Sequence, residues 1–326
     1  MKAIYFIINP QARNGYSQKV WAQVEKELCD LKIPYMAFFT KYRGNAQEIV
    51  HSIVKKSKGE KIVIVAVGGD GTMNEVVNGV VKYKNVITGF IPGGSGNDFS
   101  RGYHIPKDPI AALKLILRQI KKEDQYVDIG RIEHGSDEAF FISSMGAGFD
   151  ALVSKEANSS RMKGILNRLG LTSFVYVYFL LKNLFTYELK TVEVVIDGKT
   201  HLFESTWFVT VSNQPYYGGG MKISPEASPY DGLLDVTVVQ KLSRVKLLFV
   251  FITVFWAGHT RFREVKFLKG RSIGIQSQNP MDVHVDGEYI GGTPLKIQAC
   301  HQVLPILKRG IKNEEEVKEL TSNDCN

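Results

Sequence analysis

The stretch from Ile62 to Gly79 constrains the fold more than any other part of the chain. An unbroken apolar run, Ile62-Val63-Ile64-Val65-Ala66-Val67, enters a glycine turn, Gly68-Gly69-Asp70-Gly71, and continues into Thr72-Met73-Asn74-Glu75-Val76-Val77-Asn78-Gly79. After the turn the apolar residues Met73, Val76, Val77, Val80 and Val81 recur at i, i+3, i+4, i+7 and i+8, which predicts a helix with one buried face. The unbroken run before it predicts a strand buried on both sides. Glycines in the turn let the backbone approach a ligand closely. The helix N-terminus offers free N–H groups and partial positive charge, an anion site suited to phosphate. Asp70 beside phosphates calls for a cation between them, so Mg²⁺ is implied. A plainer reading makes Thr72-Met73-Asn74-Glu75 a capping box and the glycines simple punctuation. The loop lacks the lysine of a P-loop and the spacing of a dinucleotide fingerprint, so it does not identify a nucleotide.

The same alternation runs through the first 130 residues. Apolar blocks at 3–8, 35–39 and 86–91 are short and are separated by helix-periodic segments. Val20, Trp21, Val24, Leu28 and Leu31 share one helical face, and Ala46, Ile49, Val50, Ile53 and Val54 another. Residues 1–130 are therefore expected to form an α/β domain with a mostly parallel sheet. Ligands of such sheets gather at the carboxyl ends of the strands. Besides the turn at 68–71, two loops fall there: Asn9-Pro10-Gln11-Ala12-Arg13-Asn14-Gly15 and Pro92-Gly93-Gly94-Ser95-Gly96-Asn97-Asp98-Phe99-Ser100-Arg101. Asp70 and Asp98 are expected to face one pocket, with a metal or Arg101 between their charges.

From residue 131 to 302 the pattern changes to β-rich segments with turn signals, at 191–197, 202–211, 233–239, 272–275, 282–285 and 295–299. A second, antiparallel β-sandwich domain is expected, interrupted by helices around 164–185 and 244–257. The chain is expected to return to the first domain near 303–312, and the acidic tail, 313–326, to fray. The most apolar stretches, 171–181 and 247–258, fall short of the roughly 20 residues a bilayer crossing needs. The first apolar block ends at Asn9-Pro10 without a cleavage site, so it reads as a strand rather than a signal peptide.

With 41 Lys+Arg against 33 Asp+Glu, the net charge of +8 favours an anionic partner. Eight basic residues and one acidic residue, Glu264, lie between 241 and 271, around the apolar run 247–258. That arrangement suggests a membrane surface, although a buried helix with solvated ends accounts for it as well. No helix-turn-helix, zinc-finger or RNA-binding signature accompanies the charge, so nucleic acid is not expected as a partner. Cys29, Cys300 and Cys325 are odd in number and far apart, which fits a reducing cytosol and no zinc or disulfide framework.

These residues together resemble the diacylglycerol kinase catalytic-domain family, soluble bacterial lipid kinases related to sphingosine and ceramide kinases. The resemblance rests on the string at 68–79, Asn9-Pro10 with Trp21 downstream, and residues 91–101. It continues through Asp231-Gly232-Leu233-Leu234-Asp235-Val236 and Val285-Asp286-Gly287-Glu288 followed by Thr293-Pro294. It implies a fold like that of NAD kinase and diacylglycerol kinase, with a nucleotide domain, a β-rich lipid-substrate domain and a cleft between them. The implied enzyme is cytoplasmic and peripherally membrane-associated. It would transfer the γ-phosphate of ATP to the hydroxyl of diacylglycerol or a similar lipid at an anionic membrane surface, giving phosphatidic acid or an analogue.

By the same resemblance, ATP contacts fall on Asn9, Pro10, Arg13, Thr40, Gly69, Asp70, Gly71, Thr72, Asn74, Glu75 and Ser95. Asp70, Asp98, Arg101 and Asp128 would order Mg²⁺ and the phosphates. A structural Mg²⁺ would map to Asp231 with the main-chain carbonyls of Ser228 and Leu233, where spacing alone reads Asp231-Gly232 as a hairpin turn. Asp286 and Glu288 would supply the base that takes the lipid hydroxyl's proton, with Glu288 preferred. Arg13 stands where the family usually has glycine, and either reaches the phosphates or crowds the loop. A kinase of a soluble acceptor such as NAD, or a catalytically idle nucleotide or lipid sensor, are the alternatives. The residues at 76–79 and the intact Asp70, Asp98, Asp286 and Glu288 favour lipid transfer. The acceptor lipid and the oligomeric state, a homodimer included, stay open.

Overall fold

The computed structural model describes residues 3–135, 137–160 and 172–308. The acidic tail at 313–326, the end of the 303–312 return and the first part of the helix expected at 164–185 lie outside these residues.

The N-terminal portion is a parallel sheet with strand order β2-β1-β3-β4, formed by β1 (Ile4–Ile8), β2 (Met36–Phe39), β3 (Ile62–Gly68) and β4 (Val86–Pro92). β3 and β4 are buried along their whole lengths, the burial that an unbroken apolar run requires. Helix α1 (Tyr16–Asp30) buries Val20, Trp21, Val24 and Leu28, and α2 (Asn45–Lys56) buries Ala46, Val50, Ile53 and Val54. Leu31 stays exposed because α1 ends at Asp30, one residue before the predicted stripe does. Helix α3 (Asp70–Val80) buries Met73, Val76, Val77 and Val80. The short α4 (Asp98–Gly102) follows β4, and α5 (Pro109–Gln119) covers the sheet with Leu113 and Ile116. Each such apolar side chain contributes about 1.5–3 kcal/mol by leaving water.

The order of these strands reverses between β1 and β3. The chain leaves β1 toward β2, then returns across it to β3, so the loops after β1 and β3 diverge and open a crevice at their carboxyl ends. Asn9 and Gly69 are the first residues past those two strands.

The remainder is mainly antiparallel. It comprises β5 (Gln125–His134), β6 (Asp137–Phe141), β7 (Ser144–Gly148), β8 (Lys190–Ile196) and β9 (Lys199–Ser212). The hairpin β10 (Tyr216–Tyr217) and β11 (Met221–Lys222) precedes β12 (Leu234–Gln240), β13 (Val265–Gly270), β14 (Ser272–Ser277), β15 (Asp282–Val285), β16 (Glu288–Gly292) and β17 (Leu295–Ile306). Alternating residues such as Val192, Val194, Val209, Val211 and Val236 form its apolar core. Helices α6 (Phe149–Ser159), α7 (Thr172–Leu184) and α8 (Arg244–Thr253) pack around Trp207 as a third apolar cluster.

Strand β17 joins the two portions. It pairs antiparallel with β14 and β5, and its last residue, Ile306, lies parallel to Thr88 of β4. Thr88 Oγ1 donates to the Pro305 carbonyl, and Leu307 N to the Thr88 carbonyl, both at 2.7 Å. The two sheets expected as separate are therefore one hydrogen-bonded sheet of 15 strands among the described residues. Among those residues no helix is long and apolar enough to cross a membrane.

Candidate active site

Three loops converge at the β1/β3 crevice. Asn9 Nδ2 donates to Thr72 Oγ1 at 3.1 Å, tying the first loop to the start of α3. Gly93 N donates to the Gly68 carbonyl at 2.7 Å, which brings the loop after β4 alongside the loop after β3. The approach is too close for a side chain, since a Cβ on Gly94 would lie 2.3 Å from the Cα of Gly69. Helix α3 starts at Asp70 and carries no side-chain cap, so its first N–H groups present the anion site expected of such an end.

The capping-box reading of Thr72 and Glu75 fails because the helix begins two residues before Thr72. Glu75 instead accepts from Gly44 N at 2.9 Å and Ala46 N at 3.1 Å, capping α2 in place of its N-cap glycine. Each of its oxygens takes one of these bonds, so Glu75, expected at ATP, fixes the loop between β2 and α2.

Asp70 and Asp98 do share one locus. Asp70 Oδ1 accepts from Phe99 N at 2.9 Å, and Asp70 Oδ2 lies close enough to Gly96 that a Cβ there would come within 2.9 Å. Burial, reinforced by the charge of Asp98, pushes the Asp70 carboxyl up to about 6. Arg101 Nη1 donates to Asp98 Oδ1 and to the Gly96 carbonyl, each at 2.6 Å. The other Asp98 oxygen accepts from Gly219 N at 2.6 Å, so the tip of the β10–β11 hairpin reaches back onto the loop after β4. Asp98 thus has a donor on each oxygen and a counter-charge in Arg101, whereas Asp70, held by the Phe99 amide, lies beside a neighbour of like charge. That is the electrostatic setting a divalent cation relieves, and Asp70 fits the catalytic Mg²⁺ that the resemblance implies. No group of three or more His, Cys, Asp or Glu able to hold a metal exists among the described residues, and Mg²⁺ is ordinarily held by one or two carboxylates with substrate phosphates.

Helix α3 also touches the second portion. Asn74 Nδ2 donates to Asp286 Oδ2 at 2.8 Å and to the Phe140 carbonyl at 3.1 Å. Asn78 adds bonds to both the N–H and the carbonyl of Phe140. Asp286, part-buried, also accepts from Ile142 N, Ser143 N and Ser144 N at 2.9–3.0 Å. Burial raises its carboxyl above the ordinary value, while those donors pull the other way. With four donors on two oxygens, Asp286 organises the turn between β15 and β16. Glu288, the first residue of β16, is part-exposed and pairs with Arg43 of the β2–α2 loop.

The structure leaves other expected residues outside this cluster. Asp128 is buried in β5, accepting from Gly232 N at 2.6 Å and Gln302 N at 2.7 Å and pairing with His301 Nδ1 at 2.8 Å. It secures the irregularity of β17 between Cys300 and Leu304 and takes no part in the Asp70 network. Asp231 does not fit the implied structural Mg²⁺. Its Oδ1 accepts from Leu233 N at 3.0 Å and its Oδ2 from Lys269 Nζ at 3.1 Å. The same ammonium lies 3.2 Å from Asp235, so a cation already stands between the two carboxylates.

Arg13 adopts a left-handed φ of 47°, and its guanidinium lies over the Tyr16 ring, 4.8 Å from the centroid. Pro10 and Thr40 stand at the rim, Thr40 through its N–H to the Ile8 carbonyl at 2.9 Å, and Ser95 is exposed at its loop's tip. Three participants were not anticipated: Asn78, Arg43 and the Gly218-Gly219-Gly220 tip. Only the last leaves a sequence signal, three consecutive glycines between Tyr217 and Met221, all with positive φ.

Comparison with known proteins bears on the whole chain. The family described as "Diacylglycerol kinase catalytic domain" matches residues 3–132, and that described as "YegS C-terminal NAD kinase beta sandwich-like domain" matches residues 143–308. The Bacillus subtilis protein named "Putative lipid kinase YtlR" is 31% identical over 93% of this chain and 98% of its own length. A diacylglycerol kinase of Mycobacterium tuberculosis is 30% identical over 81% of this chain and 82% of its own. A crystal structure titled as a diacylglycerol kinase from Bacillus anthracis superposes with a TM-score of 0.68 at 21% identity, covering 94% of this chain and 97% of that one, which supports the fold.

Proposed function

The chain belongs to the diacylglycerol kinase catalytic-domain family of lipid kinases, and on that premise we propose that it transfers the γ-phosphate of ATP to the hydroxyl of diacylglycerol or a similar lipid. The observation that carries the reading is the bond from Asn74 to Asp286. It ties the helix whose N-terminus would receive the phosphates to the turn that bears Glu288.

In this reading the open N–H groups at the start of α3 take the ATP phosphates, with Asn9 and Thr72 holding that end in register. Gly69, Gly71 and the glycines of the loop after β4 admit the phosphate chain without a Cβ in its path. Asp70 would hold Mg²⁺, which when bound neutralises charge on the phosphates. Arg101 and Gly219 keep Asp98 fixed beside it. Glu288 is the proton acceptor, since Asp286 has every oxygen committed to donors. As the lipid oxygen attacks the γ-phosphorus, its proton passes to the Glu288 carboxylate, the bond to the β-phosphate oxygen breaks and ADP leaves. The enzyme would work at an anionic membrane surface in the cytoplasm.

The test is transfer of labelled γ-phosphate from ATP and Mg²⁺ into a bacterial lipid extract in mixed micelles, with Asp70→Asn in parallel. One labelled lipid formed by the parent protein and lost in the variant is expected, and its identity names the acceptor. No labelled lipid while ATP still binds would refute the proposal.

A further inference from the structure

Helix α8 carries apolar side chains on two opposite faces, yet the fold buries only one of them. Leu247 and Val250 face the third apolar cluster and Val254, in the 3-10 turn Val254–Trp256 that follows the helix, packs with Met221 and Ile223, while Val245, Phe249, Ile252 and Trp256 of the same turn recur on the opposite stripe and stay half to two-thirds exposed. Phe249 is 66% exposed and Trp256 62%. Helix α7 extends the surface with Leu181, and the residue just after it, Phe185, is 65% exposed. The two helices are joined where Arg244 Nε donates to the Leu184 carbonyl at 3.1 Å, and both feed the same buried cluster. Exposed apolar side chains on two joined helices of this kind mark an interaction site.

We infer that this two-helix surface inserts into the head-group layer of an anionic bilayer. The border of the patch selects the partner. Arg261, Arg263 and Lys266 are exposed beside it, and Glu264, the single acidic residue between 241 and 271, is already paired with Lys246 at 2.6 Å. Apolar side chains with a basic rim match acyl chains beneath anionic phosphates. A second copy of the chain is the poorer occupant, because a two-fold contact sets each basic rim against itself.

The surface is also continuous with the candidate active site. Tyr176 of α7 donates to Asn158 Oδ1 at 3.0 Å, and Asn158 Nδ2 donates to the Gly287 carbonyl at 2.9 Å, in the turn that carries Glu288. A bilayer seated on α7 and α8 therefore lies one hydrogen-bonded relay from the residue proposed to deprotonate a lipid. That functional link rests on the lipid-kinase reading, whereas the insertion itself does not.

The chain carries its own reporter. Of its three tryptophans, Trp21 and Trp207 are buried and Trp256 is exposed. The experiment adds vesicles of phosphatidylcholine with 30% phosphatidylglycerol, or of phosphatidylcholine alone, and follows tryptophan emission, quenching by brominated acyl chains, and co-sedimentation. A blue shift with quenching on the anionic vesicles is expected, weakening as salt rises because the rim charges are screened. Phe249→Glu should lower partition at least tenfold while leaving transfer to a monomeric short-chain acceptor within twofold. Absence of quenching in the parent protein, or unchanged partition of the variant, would overturn the inference. So would a dimer in sedimentation velocity that Phe249→Glu dissociates, which would make the surface an interface between copies. Vesicle binding without transfer to any lipid would refute the kinase reading and leave the insertion surface standing.

Discussion

Arg43, in the loop between β2 and α2, forms an ion pair with Glu288, the first residue of β16. The two residues come from opposite ends of the chain, and the Arg43 loop is itself held by Glu75 of α3 through the Gly44 and Ala46 amides. One helix thus supports the anion site with its N-terminus and steadies the partner of the candidate base from its side.

The Arg43 pair is solvent-exposed, and such pairs contribute only about 0–1 kcal/mol to stability. Arg43→Ala should therefore leave Tm nearly unchanged while lowering kcat/KM several-fold, as Glu288 loses its orientation. Thermal melts beside steady-state kinetics check this. A matching fall in Tm would make the pair structural.

Glu288 and Asp286 should separate by phenotype. Glu288→Gln is expected to reduce kcat about 10²–10⁴-fold in an intact fold, the usual scale for removing a general base. Asp286→Asn puts an amide among four donors and should cost about 1–3 kcal/mol of stability, seen as a lower midpoint in urea. Normal turnover in Glu288→Gln would move the base elsewhere.

Asp70 gives a pH signature. Its carboxyl is held near 6, against an ordinary 3.8, so between those values the folded protein keeps a proton that the unfolded chain has released. The charged form's destabilisation is absent below this window and complete above about 6. Asp70→Asn should flatten the fall in stability from pH 4 to 6 and raise stability at pH 7.5 by about 1–2 kcal/mol, while abolishing transfer. Parallel slopes for parent and variant would contradict this.

Arg13 holds a left-handed conformation that costs a non-glycine residue roughly 1–2 kcal/mol. Because its guanidinium lies over Tyr16, Arg13→Gly should raise Tm by a few degrees and leave the KM for ATP within twofold. A large rise in that KM would place the side chain on the phosphates.

Lys269 is expected to make the Asp231 region independent of divalent cations. The parent melting curve should be the same in EDTA and in Mg²⁺, and Lys269→Met should lower Tm, because Asp231 and the buried Asp235 would then face each other without a counter-charge. A fall in the parent's Tm on adding EDTA would restore a metal to that turn.

The periodicity of residues 62–81 was enough to place β3, the turn and the buried face of α3, because a strand buried on both sides and a one-faced helix impose different spacings on apolar residues. The glycines that let the loops after β3 and β4 touch were legible for the same local reason. Residue order could not say which carboxylates remain available, because that depends on donors brought from distant segments. Glu75 reads as a local cap and bonds α2 instead. Asp128 is enclosed by amides from residues 232 and 302, and Asp286 by Asn74 and three amides at 142–144. The apolar run 247–258 could not reveal which stripe was exposed, since every face of it is apolar. Local pattern therefore determined the layers of this protein and the glycine loops at the carboxyl ends of its parallel strands. Only the tertiary structure decided which charges are satisfied within the fold and which remain open to a substrate, because hydrogen-bond partners and burial are set by contacts between segments far apart in the chain.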